Sequence, residues 1–248
     1  MAGHSQFHNI MYRKGAQDAK RAKMFAKIAR EITVATKIGG DDASANPRLR
    51  AALSLARENN MPKDNIERAM ARAATDAAAA NYDAVRYEGY GPGGITIVVE
   101  TLTDNRNRTA SDIRSVFTKF GGNLGETGSV AFSFKQVGSL IYKTIPGGFD
   151  KAFGVATEAG AEDVEEFEGQ GEETNEQYIE ITTPMETFAR IREAFVKEFG
   201  SPVESGLIWK PLTSVSCSED TKATLLKLID MLEDNDDVQK VFHNLGSK

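Results

Sequence analysis

The stretch Leu102–Ile113, LTDNRNRTASDI, places Arg106 and Arg108 between an apolar run and an amphipathic one. Thr109-Ala-Ser-Asp112 fits a variant capping box, with Thr109 as N-cap and Asp112 near the third helical position. Asp104 and Asn105 suit the turn before it. Capping leaves the two arginines unexplained. A cation at a helix start opposes the macrodipole by about 0.3–1 kcal/mol. Either carboxylates pair Arg106 and Arg108, or the two join backbone N–H groups in holding a phosphate.

Other chemistry-bearing patterns are weaker. Gly89-Tyr-Gly-Pro-Gly-Gly94 matches the letters of a dinucleotide fingerprint. It precedes the strand-like Ile95–Leu102 instead of following a strand and opening a helix, so it reads as a tight turn. Tyr87 and Tyr90 beside it offer rings on which a base could stack. Gly121–Gly128 follows a helix and reads as a C-cap and turn. His4 and His8 are four apart, but no third ligand has matching spacing. No zincin, serine-hydrolase, phosphate-loop or C-x-x-C motif occurs. No catalytic constellation emerges, so the expectation is a non-enzyme with no metal and no cofactor.

The first helix carries more information. Residues 13–30 hold Arg13, Lys14, Lys20, Arg21, Lys23, Lys27 and Arg30 against one acid, Asp18. Met24, Phe25, Ile28, Ala29, Ile32 and Ala35 form its apolar stripe, and most of the cations lie roughly opposite. Solvated helix faces usually mix charge signs. This one does not, which favours phosphate contact. The candidate nucleic-acid-binding residues are Arg13, Lys14, Lys20, Lys23, Lys27 and Arg30, the aromatic Phe7 and Tyr12 of the arm, and Arg106 with Arg108. A membrane surface fits poorly, because the apolar stripe must serve the domain core.

Charge is divided along the chain. Residues 1–80 hold 14 Lys+Arg against 8 Asp+Glu, and residues 81–248 hold 16 against 28, within a net charge of −6. A basic module on an acidic body suits one local contact with a polyanion. No apolar run approaches the roughly 20 residues of a membrane helix. The first residues lack the apolar core of a secretory signal. Cys217 is the only cysteine, so no internal disulfide forms, and a cytoplasmic setting is expected.

These residues need elements to position them. Periodicity predicts helices over 16–38, 47–59 and 62–74, a basic helical domain over 1–80. Strands over 95–102, 129–134, 140–144, 163–168, 178–182, 203–209, 213–217 and 238–242 alternate with helices over 110–120, 149–159, 185–199 and 219–232. The expected fold is α+β: a three-helix domain, then two ferredoxin-like α+β domains, one inserted in the other. The boundaries are 84–134 plus 210–248 for the discontinuous domain and 135–209 for the inserted acidic one. The acidic run Glu158–Glu180, ten Asp+Glu without a Lys or Arg, is expected to form a solvated sheet face and loop.

The segments MAGHSQFHNIMYRKGAQDAKRAKMFAKIAREITVA, ANPRLRAAL, NNMPKDNIERAM, YEGYGPGG, TDNRNRT and GGNLGETGSVAFSF together resemble the YebC/PmpR family. The resemblance implies a three-domain cytoplasmic protein. It also implies a DNA-binding transcriptional regulator, or alternatively a ribosome-associated translation factor that binds RNA and relieves stalling at difficult peptide sequences. The family usually has Lys-Trp where Gln6-Phe7 stand and Lys-His where Met11-Tyr12 stand, so this arm has fewer cations. Expected partners are nucleic acid (DNA or ribosomal RNA) and the ribosome, met by a monomer or weak dimer. A small-molecule-sensing α+β module is the alternative of another class.

Overall fold

In the computed structural model, residues 17–75, 82–169 and 176–246 are described. The fold is α+β. An N-terminal helical region precedes two four-stranded sheets with their helices. The described chain divides into two compact units, one of residues 17–130 and 217–241, the other of residues 131–216 and 242–246.

The helical region comprises α1 (Gln17–Gly39), α2 (Pro47–Glu58) and α3 (Lys63–Thr75). Gly40, at φ 83°, follows α1. Asn46 caps α2, its Oδ1 accepting from the Leu49 N–H at 3.0 Å, and Pro47 fills the first turn, where no backbone donor is needed. The stripe read from the sequence is the one that packs. Ile28, Ile32 and Ala35 meet Leu49, Ala52, Ala56, Met61 and Ala69 in a core drawn from this region alone.

The first sheet has the order β3-β1-β2-β8, from β1 (Asp83–Tyr90), β2 (Thr96–Thr103), β3 (Asn123–Leu124) and β8 (Val238–His243). Its helices are α4 (Arg106–Lys119) and α7 (Glu219–Glu233). The central pair is an antiparallel hairpin, Asp83 opposite Thr103 through Tyr90 opposite Thr96. The GPGG turn closes it, with Gly93 and Gly94 at φ 74° and 73°. Strand β1 has no counterpart in the periodicity of DAVRYEGY, whose charges and glycine mask it. Gly89 is there because space is short: a Cβ would stand 2.7 Å from both the Asn123 carbonyl and the Phe117 ring. The expected strand over 129–134 is instead a turn and a short 3-10 segment, Ala131–Ser133. The expected strand over 213–217 is reduced to a single bridge, Val215 to Leu245.

The second sheet has the order β5-β6-β4-β7, from β4 (Phe134–Tyr142), β5 (Asp163–Glu168), β6 (Gln177–Thr183) and β7 (Glu204–Pro211). Helices α5 (Gly148–Ala159) and α6 (Phe188–Phe199) pack Ala152, Ala156, Ile191 and Phe195 on Leu140, Tyr142, Ile179 and Ile181. This is the split β-α-β arrangement. Among the described residues, one acid of the acidic run is buried. Glu180 is 2% exposed and accepts from Ser139 Oγ at 2.6 Å. Burial pushes its carboxyl up to about 7, against the pull of Lys210 and the Ser139 hydroxyl.

Gly138 in β4 marks the tightest approach in this sheet. A Cβ there would fall 2.2 Å from the Phe188 ring and 2.3 Å from Thr183 Oγ1. Gly138→Ala is expected to lower unfolding stability by about 1–3 kcal/mol through overpacking, read as a shift in the urea midpoint at unchanged slope.

Candidate nucleic-acid interface

Phe7, Tyr12, Arg13 and Lys14 lie outside the described residues, as does the Lys20 side chain. The remaining candidates fall in two groups, both held within one compact unit.

The first group is the basic face of α1. Lys23, Lys27 and Arg30 face the end of α7 and the turn into β8. Lys23 Nζ pairs with the Asp234 carboxylate. Lys27 Nζ donates to the Glu233 carbonyl at 3.0 Å. Arg30 Nη1 donates to the Asp236 carbonyl and lies 3.3 Å from Asp237 Oδ1. Its guanidinium also stands over the Tyr82 ring. Helix ends present unsatisfied carbonyls and partial negative charge, so cations settle there. Burial lowers the Lys27 ammonium pKa, and Glu233 opposes the shift. The Lys23–Asp234 pair is exposed, at 47% and 67% of the side chains, and pairs of that kind contribute roughly 0.2–1 kcal/mol.

The second group is the NRNRT turn. Helix α4 begins at Arg106, four residues before the expected start, and its N-cap is Asn105. Asn105 Oδ1 accepts from the Arg108 N–H at 3.1 Å, and the Asn105 N–H donates to Thr103 Oγ1 at 2.9 Å. The expected cap, Thr109, is buried within the helix. Its hydroxyl faces Asp237 Oδ2 at 2.7 Å and Thr103 Oγ1 at 2.7 Å. Of the two readings of the arginines, carboxylate pairing is the one displayed. Arg106 Nε donates to Asp83 Oδ2 at 2.7 Å. Arg108 Nη2 donates to Asp104 Oδ1 at 2.8 Å and Asp237 Oδ2 at 2.7 Å. Those bonds raise the Arg108 pKa and hold its charge.

Asp237 joins the two groups. One oxygen faces Arg30; the other takes Arg108, Thr109 and Thr103. Its backbone carbonyl accepts from the Leu102 N–H at 2.8 Å. Burial raises its carboxyl pKa, but the hydrogen bonds from Arg108, Thr109 and Thr103 outweigh burial and hold it below the ordinary value. No spacing pattern marks this residue, which lies 129 positions from Arg108.

The two tyrosines are anchored by their hydroxyls: Tyr87 donates to the Arg106 carbonyl at 3.2 Å and Tyr90 to the Ser129 carbonyl at 2.9 Å. Three other cations of the helical region, Arg50, Arg57 and Arg68, carry no carboxylate bridge among the described residues. Arg57 and Arg68 are exposed on α2 and α3. Arg68 bonds only Asn65 and the Asp64 carbonyl. Arg50, seven residues before Arg57 and therefore on the same face, donates to the Ser44 carbonyl at 3.4 Å. Sequence reasoning passed over these three, because their helices mix acids with bases. Their distinguishing feature is where those acids go: Glu31 turns to Arg48 at 2.6 Å and Glu67 to Lys63 at 3.4 Å. Among the described residues no group of three or more His, Cys, Asp or Glu could hold a metal ion, and no helix is long and apolar enough to cross a membrane.

Fold and site together define an α+β protein with a basic helical module, its cations divided between an internally paired face and an exposed one. The model of the TACO1/YebC protein N-terminal domain matches residues 5–76, and that of the TACO1/YebC second and third domain matches residues 82–245. The crystal structure of a conserved hypothetical protein from Aquifex aeolicus is 39% identical, covers 96% of this chain and 95% of its own, and superposes with a TM-score of 0.80. The chain belongs to the TACO1/YebC family. Membership supports a regulator-like role.

Asp237→Ala is expected to destabilise the protein by about 2–4 kcal/mol, since it strips Arg108, Thr109 and Arg30 of a shared buried acceptor. The pH dependence follows from the depressed carboxyl. Its contribution is complete above the unfolded value near 3.8 and disappears as pH falls through the lower folded value. Urea unfolding from pH 7 down to pH 2 should therefore show a smaller acid loss in Asp237→Ala than in the parent.

Proposed function

We propose that this protein is a non-enzymatic regulator of gene expression that binds nucleic acid through its helical domain. The observation that carries this reading is the exposed set Arg50, Arg57 and Arg68, which no carboxylate bridges among the described residues. Arginines spread over two helices suit phosphate oxygens, which set position without reading sequence. The acidic remainder of the chain confines the contact to this module.

In its finer form, the reading is a DNA-binding transcriptional regulator of the YebC/PmpR type. A ribosome-associated translation factor that binds RNA is the second reading, favoured by one feature. The exposed arginines flank the packed face of short helices and are spread over two of them, a layout that suits backbone phosphates more than base edges in a major groove. Structured RNA with exposed phosphates asks less of them.

The triple variant Arg50→Ala, Arg57→Ala, Arg68→Ala is expected to weaken binding and to flatten the salt dependence. Each lost phosphate contact takes about 0.7–0.9 from the slope of log K against log salt. Fluorescence anisotropy with a 20-base-pair DNA and a structured RNA, from 50 to 200 mM KCl, measures this. An unchanged slope would overturn the assignment. Tighter RNA binding together with co-sedimentation with ribosomes selects translation; discrimination between DNA sequences selects transcription.

A further inference from the structure

The cations of α1 are occupied by an acidic turn of the same chain. Lys23, Lys27 and Arg30 fall at i, i+4 and i+7 and share one helix face. Opposite stand residues 233–237, Glu-Asp-Asn-Asp-Asp. Every contact given for these cations with that turn ends on an oxygen: the Asp234 carboxylate, the Glu233 and Asp236 carbonyls, the Asp237 carboxylate.

We propose that this face of α1 is a second nucleic-acid-backbone surface, closed in the free protein by the acidic turn 233–237, which stands in for phosphate and is displaced by it. The inference rests on the nucleic-acid-binding reading above.

Three features support exchange. The helical core is complete within residues 25–70, so the helices keep their packing when α1 parts from the turn, and Asp237 keeps Arg108, Thr109 and Thr103. The rim of the contact, Lys23 with Asp234, is solvated and therefore weak and screened by salt. The exchange is also like for like, since cations that meet carboxylate and carbonyl oxygens meet phosphate oxygens instead. Lys27 gains most. Burial depresses its ammonium, and the carbonyl it now bonds carries only the partial charge of a helix end, whereas a phosphate carries a full one.

The test separates latch from ligand. Asp234→Asn removes the exposed acid of the turn. Glu219→Gln removes one negative charge from the opposite end of α7 and is the charge-matched control. Binding of a 20-nucleotide RNA is followed by anisotropy at 100 mM KCl, with circular dichroism confirming each fold. Asp234→Asn is expected to bind about 2–5-fold tighter than the parent, the range an exposed ion pair provides, and Glu219→Gln to match the parent. Lys23→Gln breaks the same bond from the other side, yet it is expected to bind more weakly, because it removes a cation that the RNA would use. A merely structural pair would move both variants in one direction. Equal affinities for Asp234→Asn and Glu219→Gln, or a loss in Asp234→Asn, overturn the latch. The triple arginine variant reports separately: if it weakens binding while Asp234→Asn does nothing, the functional reading stands and the latch falls.

Discussion

The buried carboxylate of Asp237 is the point on which the first compact unit depends. A lone carboxylate at that depth would carry a desolvation cost of several kcal/mol. Four donors offset it: Arg108, Thr109, Thr103 and, at longer range, Arg30. They come from three separate parts of the chain's path: Arg30 from α1, Thr103 from the end of β2, and Arg108 with Thr109 from the start of α4. The carboxylate thereby ties the start of α4 to the end of β2 and to the entry of β8, with Arg30 of α1 as the looser fourth contact. The NRNRT segment is thus a structural joint. Its arginines tolerate a helix N-terminus because acids from Asp83, Asp104 and Asp237 surround them.

The same economy of charge organises the helical module. Acids are few there, and two of them are committed: Glu31 to Arg48, Glu67 to Lys63. The cations of α1 take their oxygens from the far end of the chain's first sheet instead. What remains for solvent is an arginine set on the two shorter helices. A basic module therefore divides into a face that holds the protein together and a face that is free to hold something else. Raw charge counts merge the two.

Much of this was legible in the residues. The three N-terminal helices, the Asn46-Pro47 cap and the inserted second sheet follow from periodicity and turn chemistry acting over a few positions. Strand β1 was hidden because its stability comes from partners on both sides, not from its own pattern, and Gly89 is tolerated only for the sake of the Phe117 ring and the Asn123 carbonyl. The start of α4 was misplaced for a related reason. Thr109 has the right side chain for a cap, but Asp237 claims its hydroxyl, and Asn105 caps in its place. The basic face of α1 showed its composition and hid its partner, since Lys23 and Asp234 are 211 residues apart. Local grammar reveals elements; it does not reveal which distant acid a cation will find.

That separation has a consequence in time. A chain emerging from the ribosome at about 5–20 residues per second completes the core of its helical module by residue 75. The acidic turn follows roughly 10–30 s later at that rate. Throughout that interval the nascent protein presents the cations of its first helix without this partner, close to a machine whose surface is rich in RNA phosphate. The partner that eventually screens them lies more than 200 residues further along the chain, so synthesis itself passes through a form of the protein that the finished molecule keeps closed.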